Sequence, residues 1–404
     1  MRLKSLDVFR GIAIASMILV NNPGSWEQVY PPLEHAEWHG CTPTDLVFPF
    51  FLFIVGCAMS FSLSKYTQTA KKSGVAKSQL LETEEQKNAD QKPASCFLLP
   101  ASNIYWRIAR RAAILFILGL LLNTSSIALD VLFNSAPAEN FGKIRIMGVL
   151  QRIGLAYFIS AIAILNLSPR NQKLLAVAVL LGYWGALTAF AVGGYTAGPL
   201  TPEGNLGGYV DRLILGSQHL YKGGPFDPEG LLSTLPAVVT VLTGYFTGEW
   251  LRVQPIKTRT SMNLAIWGFR CVVIGRLWGF LFPINKQLWT SSYVVFTAGW
   301  AVLLLAACYE TIEVRNWKWG RPFEIMGVNA IFLFVASGIV ARILLKTHIG
   351  SGGNAPTTYT WIYENWFVPW AGPLNGSLAF AVTAVLFWWL ILYGMYRRGW
   401  AIKI

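Results

Sequence analysis

Residues 21–56 read NNPGSWEQVYPPLEHAEWHGCTPTDLVFPFFLFIVG. The stretch leaves one apolar run at Asn21, crosses a polar and aromatic loop, and re-enters a second apolar run at Leu46. His35, His39 and several acidic residues stand in close order within that loop. Flanking apolar runs make this a titratable cluster at a membrane surface. Histidine is the side chain whose ordinary pKa lets it move protons near neutrality, and a hydrophobic boundary is where such values are most easily displaced. His35 is therefore the leading catalytic candidate, set against its reading as an ordinary interfacial loop residue.

Working outward, the whole chain fits the same environment. It has 404 residues, 54% hydrophobic and 13% charged, with 17 tryptophans and a mean hydropathy of +0.45. Soluble domains carry roughly 25% charged residues, so the deficit here is what repeated bilayer crossing requires. A spanning helix needs about 20 mostly apolar residues. That criterion predicts an all-α polytopic membrane protein of about ten transmembrane helices, forming a single transmembrane domain over 1–404. The spans centre on 6–22, 44–64, 105–123, 147–167, 173–192, 231–250, 262–283, 290–310, 324–346 and 376–396.

The net charge of +13 is distributed between these runs rather than gathered in a soluble basic domain, so nucleic acid binding is not expected. Arg2 and Lys4, then Lys65, Lys71, Lys72, Lys77, Lys87 and Lys92, then Arg170 and Lys173, Arg252, Lys257 and Arg259, Arg315, Lys318 and Arg321, and finally Arg397, Arg398 and Lys403 fall on one side. The alternate loops hold few: Lys143, Arg145, Arg212, Lys222 and Lys286. By the positive-inside rule both termini are cytoplasmic and all four histidines (His35, His39, His219 and His348) face the other side. The amino terminus, basic then apolar, is read as a retained first helix because no small-residue cleavage site follows it.

Residues 66–103 are polar and lysine-rich and predict a mobile cytoplasmic loop. Residues 193–230 carry GPLTPEGNLGG and GGPFDPEG, turn signals that predict an outer loop folded over that face. The tryptophans at 361, 366 and 370 suit an interfacial segment, a lid or a membrane anchor. No internal repeat of the kind seen in many transporters is visible.

Several polar residues invite a chemical reading beside a structural one. Thr42-Pro43-Thr44-Asp45 has the composition of a helix start; Asp45 would also serve as the acid that orients His35, as in a catalytic triad. Asp227-Pro228-Glu229-Gly230 is a second start signal. Asp7, Arg10, Gln151, Arg152, Arg270, Arg276 and Asn329 lie within apolar segments, where unpaired charge costs several kcal/mol. They either pair and snorkel or line a polar cavity. Arg107, Arg110 and Arg111 sit at the cytoplasmic end of the third span; they anchor the helix or present guanidinium forks to the phosphates of a cytosolic donor. His35, His39 and Cys41 lack the further ligands a metal site needs, and the five cysteines show no CxxC spacing, so no metal or disulfide framework is expected.

LKSLDVFRGIAIASMILVNN, HAEWHGCTPTDLVFPFFLFIVG, KIRIMGVLQRIGLAYF, DPEGLLSTLPAVV, GVNAIF and YRRGWAIKI follow one another along the chain. In that order they resemble the heparan-alpha-glucosaminide N-acetyltransferase family. The resemblance implies a membrane acetyltransferase that takes acetyl-CoA from the cytosol and passes the acetyl group to an amino sugar or glycan acceptor on the far side. It implies that His35, in the H-A-x-W-x-G string, is the active histidine, and that Asn21, in the V-N string, accompanies it, with Asn22 as substitute. Acetyl-CoA phosphates would dock at Arg107, Arg110 and Arg111; Arg152, Gln151 and Asn329 would line the route to His35. The absence of a large amino-terminal lumenal domain leads us to expect a bacterial-type core in the inner membrane, with an acceptor other than heparan sulfate and room for a homodimer. A transporter without acyl chemistry and an O-acyltransferase acting on a lipid or cell-wall glycan are the competing expectations.

Overall fold

The computed structural model describes residues 3–64, 66, 102–134, 136–190, 198–350 and 355–402. Almost all of the predicted 66–103 loop lies outside the described residues. The rest is helical, with one isolated bridge between His348 and Thr357 among the described residues.

In chain order the helices are α1 (Lys4–Asn21), α2 (Val47–Ser62), α3 (Ser102–Asn134), α4 (Val149–Asn166), α5 (Pro169–Ala189), α6 (Leu206–Leu215), α7 (Thr234–Arg252), α8 (Thr258–Trp278), α9 (Ser291–Cys308), α10 (Arg321–Val328), α11 (Ala330–Lys346), α12 (Thr358–Ile362) and α13 (Val368–Arg397). Their starts carry local signals. Ser168 accepts the Asn171 N–H at 3.2 Å just before Pro169, and Asn205 accepts the Gly208 N–H at 2.6 Å at the head of α6; both satisfy donors that a helix end leaves unpaired.

Among the described residues six helices are long and apolar enough to cross a membrane, or seven if α10 and α11, bent by 78° at Asn329, count as one broken span. Ten were expected from the sequence. The difference lies in α1, α7 and α8. Each is 18 to 21 residues long, but they carry Asp7 and Arg10, Glu249 and Arg252, and Arg270 and Arg276, which lower their apolar content. Asp7 and Arg10 pair at 3.2 Å, and Arg252 pairs with Glu249 at 3.1 Å.

The centre of the bundle is the α2–α7 pair. A methyl group at Gly56 would stand 1.8 Å from the Val241 carbonyl oxygen, and one at Gly244 would stand 1.9 Å from that of Phe53. Gly244 and Gly248 are spaced as G-x-x-x-G, and Gly248 faces Ser60. Small residues at this period let two backbones touch where lipid gives no hydrophobic drive to associate. Burial follows: 67% of the α2 span lies inside the protein, against 17% of the α3 span. Phe48, Leu52, Val238, Val241, Leu242, Trp289 and Tyr293 join α2, α7 and α9 in one core.

Residues 198–230 pack onto the loop after α1. Trp38 donates its indole N–H to the Leu200 carbonyl at 2.8 Å and meets the Phe226 ring edge-on at 5.4 Å. The tryptophan-rich segment leads straight into the last span: α12 continues into α13, and Tyr359 donates its hydroxyl to the Pro23 carbonyl at 2.7 Å.

Candidate active site

The loop between α1 and α2 is shaped by one buried carboxylate. Asp45 is 1% exposed. Its Oδ2 accepts the backbone N–H groups of Ala36 and Thr42, each at 3.1 Å, which folds residues 36–42 back over the helix start. Its Oδ1 accepts from His35 Nδ1 at 2.7 Å. Asp45 thus caps the helix start and holds the imidazole at once. With Nδ1–H donated to the carboxylate, the lone pair on His35 Nε2 is the ring's basic position.

Lys286, from the connection between α8 and α9, completes the group. Its Nζ lies 3.4 Å from Asp45 Oδ1 and 3.0 and 3.4 Å from the two ring nitrogens of His35. Near-equal distances to both nitrogens place the ammonium over the ring rather than in line with either lone pair. Burial pushes the Lys286 amine down from its ordinary range, and the Asp45 charge works against that fall. Asp45 is further fixed by Tyr293, whose hydroxyl donates to its backbone carbonyl at 2.6 Å.

His35, Asn21, Glu229 and Lys286 line a cavity of about 210 Å³. Its walls are Met17 and Val20 of α1, Val47, Phe48 and Phe51 of α2, Leu150 and Ile153 of α4, and Ala330, Ile331 and Phe334 of α11. From Thr44 to Phe51 it runs seven residues along the start of the second span, about 10 Å at 1.5 Å per residue. A polar mouth therefore opens on an apolar barrel.

The remaining candidates divide by where their side chains turn. Asn21 lines the cavity, while Asn22 is tied to its own helix through the Ile18 carbonyl at 2.7 Å. Gln151 and Arg152 lie between Leu150 and Ile153, which with Val149 are the α4 residues on the wall, but face elsewhere. Gln151 donates to the Ile146 carbonyl at 3.0 Å; Arg152 is fully buried, bonded to Ser233 and to the Gly230 carbonyl, with its guanidinium 4.9 Å above the Trp289 ring. Asn329 sits at the bend between α10 and α11 and holds the carboxy-terminal tail: its amide donates to the Trp400 carbonyl at 3.0 Å and its oxygen accepts from Ile402 N–H at 2.8 Å. Arg107, Arg110 and Arg111 are exposed on the first turns of α3, with the Arg111 guanidinium 5.2 Å above Tyr157 of α4. Tyr157 is one turn beyond Ile153 on the same helix.

Three contributors escaped sequence reasoning: Lys286, Glu229 and Arg145. Arg145 bonds both oxygens of Asp227, at 2.8 and 2.5 Å, and also Glu229. Burial opposes the Arg145 charge, but the two carboxylates more than offset it and hold its pKa above the ordinary guanidinium range. Lys286 had one signal, as the sole basic residue of its loop. Glu229 had none beyond the helix-start composition of DPEG. His39 points away from His35, toward Asn285 at 3.4 Å, and no three His, Cys, Asp or Glu side chains are grouped to hold a metal among the described residues.

The family described as heparan-alpha-glucosaminide N-acetyltransferase, catalytic, matches residues 2–278. The human protein named heparan-alpha-glucosaminide N-acetyltransferase (Homo sapiens) is 28% identical over 453 aligned positions, which cover 98% of this chain and 59% of that protein. The mouse protein of the same name (Mus musculus) is 29% identical over 390, covering 84% of this chain and 54% of its own length. The chain therefore spans little more than half the length of these relatives. Taken with a match that runs from the first helix through α8, this places the chain in the heparan-alpha-glucosaminide N-acetyltransferase family.

Proposed function

We propose that this protein is a membrane acetyltransferase that moves the acetyl group of cytosolic acetyl-CoA to an amino sugar or glycan acceptor on the opposite face. The observation that carries this reading is the His35–Asp45 pair set in the mouth of an apolar cavity. A permease needs no buried carboxylate to fix the tautomer of a single imidazole; a base or nucleophile does.

His35 Nε2 takes the proton of the acceptor nitrogen as its C–N bond to the acetyl carbon forms; the C–S bond then breaks and the proton passes to the leaving CoA sulfur. Transient transfer of the acetyl group to Nε2 serves the same geometry. The Asn21 amide, which has no hydrogen-bond partner among the described residues, is placed on the wall to bond the thioester oxygen as charge develops on it. Asp45 orients the ring and steadies the imidazolium. The donor lies along α4: its phosphates at Arg107, Arg110 and Arg111, its pantetheine arm past Tyr157 and Ile153 toward His35. Arg152 and Gln151 support that helix from behind, and Asn329 fixes the start of α11, whose Ala330 and Ile331 form the facing wall.

Ten crossings complete the reading: α1 and α7 span with Asp7–Arg10 and Glu249–Arg252 paired along their own helices, and α8 spans with the exposed Arg270 and Arg276 lying over the Trp267 and Phe280 rings. Both termini are then cytoplasmic, His35 faces the other side, and a bacterial inner membrane is the setting. CoA thiol release by purified protein given acetyl-CoA, with and without glucosamine, tests the proposal. Release that depends on the amino sugar and disappears in His35→Ala supports it; absence of release across a panel of amino sugars, with no thermal stabilisation by acetyl-CoA, refutes it.

A further inference from the structure

Glu229 shares the cavity with His35, and the chemistry above gives it no task. It differs from its neighbours in how its oxygens are used. Asp45 has both oxygens occupied, by His35 on one side and by the Ala36 and Thr42 N–H groups on the other. Asp227 also has both occupied: Arg145 and the Glu229 N–H at Oδ1, Arg145 and the Tyr221 N–H at Oδ2. Glu229 gives Oε2 to Arg145, while Oε1 accepts no hydrogen bond from any described residue. The Glu229 side chain is 14% exposed and lines the cavity, so this oxygen is an acceptor a ligand there can use.

The surrounding cations leave that oxygen free. Arg145 bonds Glu229 only at Oε2, Lys286 is matched by Asp45 at 3.4 Å, and the Arg152 guanidinium bonds Ser233 and the Gly230 carbonyl against the Trp289 ring. Burial alone would favour the neutral acid at Glu229, but Arg145, Arg152 and Lys286 outweigh it and keep the group below its ordinary range, hence ionised at neutral pH. An ionised carboxylate with a free oxygen, in a cavity with a base, is a site for a cationic amine.

We propose that Glu229 is the group that selects the acceptor: Oε1 receives the ammonium of a 2-amino sugar and excludes alcohols as acceptors. This rests on the acetyltransferase reading and adds the residue that decides between an amine and an alcohol as acceptor. The bound ammonium gives one proton to His35 Nε2, which releases it to solvent. The neutral amine then attacks; the C–N bond forms, the C–S bond breaks, and the second amine proton ends on the CoA sulfur. The sum is ammonium plus acetyl-CoA giving amide, free CoA thiol and one proton.

Glu229→Gln keeps the shape and the acceptor oxygen for Arg145 while removing the charge. A charge-assisted hydrogen bond is worth about 1.5–3 kcal/mol, so the KM for glucosamine should rise about 10- to 100-fold, with the KM for acetyl-CoA within about 2-fold of wild type. An unchanged glucosamine KM overturns the proposal. Binding of glucosamine, glucose and N-acetylglucosamine to the wild-type protein without donor gives a second test that no folding defect can cloud. Glucosamine should bind about 10-fold or more tighter than glucose, and the preference should fade as pH rises through the amine's own pKa; equal binding of glucosamine and glucose overturns the proposal. Failure of wild-type protein to release CoA strikes the acetyltransferase reading instead, and the binding comparison still decides the role of Glu229.

Discussion

The two ends of α4 handle charge in opposite ways. Around its start lie two bonded groups, His35 with Asp45 and Lys286, and Arg145 with Asp227 and Glu229, at distances that include 2.5 to 3.4 Å, and Asp45 is almost wholly buried. Near its other end, Arg107, Arg110 and Arg111 are exposed and no described carboxylate bonds them. Buried, mutually satisfied charges fix geometry, and removing one leaves its partner uncompensated. Exposed guanidiniums cost little to keep and remain available to a mobile polyanion. On the proposed reading the first end positions atoms and the second attracts a ligand.

Substitutions at each end should therefore differ in kind as well as size. Losing the base removes the chemistry: His35→Ala should lower kcat by about 10³-fold or more while acetyl-CoA binding persists, since acid–base catalysis contributes about 10² to 10⁴; a loss in donor binding with kcat unchanged would reverse the assignment of the two ends. Asp45→Asn should come next, at about 10²-fold in kcat, because an amide donor facing Nδ1 favours the wrong tautomer. An Asp45→Asn enzyme with wild-type kcat would reduce Asp45 to a helix cap. At the far end, replacing Arg107, Arg110 and Arg111 together by Ala should raise the KM for acetyl-CoA about 10-fold with little change in kcat, and the effect should shrink as salt is added. A fall in kcat without a change in KM would show that the donor docks elsewhere.

The smallest expected effect concerns stability at the crowded end. Asp211 of α6 is buried, accepts the Leu231 N–H at 2.8 Å and lies in the field of Asp227. Burial first, and then the Asp227 charge, raise its pKa from the ordinary 3.8 to about 6. A carboxyl that binds its proton more tightly when folded favours folding in acid, and this contribution is lost as pH rises from 3.8 to about 6. Asp211→Asn should then stabilise the protein on the order of 1 kcal/mol at neutral pH and have little effect near pH 4, as read by thermal unfolding in detergent. Stabilisation equal at both pH values would remove the titration from the explanation.

Much of this was legible locally. His35 and Asp45 are ten residues apart in one loop, so their partnership needed only a turn and a helix start, and Thr42-Pro43 supplies both. Ser168-Pro169 at the head of α5 is a start of the same local kind, seen in the structure. Turn signals were legible over 193–230, although nothing in them said that Trp38 would be the contact of the described part, 198–230. The membrane class was legible, but counting spans was harder. Asp7, Arg10, Glu249 and Arg252 lower the apolarity of α1 and α7; their i,i+3 spacing allows pairing, and the structure shows both pairs made. Asn329 shows the limit from the other side: a polar residue in an apolar run suggests a cavity, and at this 78° bend its side-chain amide fastens the tail, donating to the Trp400 carbonyl and accepting the Ile402 N–H.

What the sequence determined by itself is what depends on neighbours along the chain: apolar length, charge bias between loops, helix starts, and the histidine in its loop. The family follows from strings of this local kind. What only the tertiary structure decided is the company that loop keeps. Lys286 is 251 residues from His35 in sequence, and Glu229 and Arg145 come from two further connections. They converge because α2 and α7 can touch at Gly56 and Gly244, which draws the ends of α4, α7 and α9 around one cavity mouth. Side-chain pattern reports which face of a helix is apolar; which helix covers that face, and so which charges meet, is settled by packing.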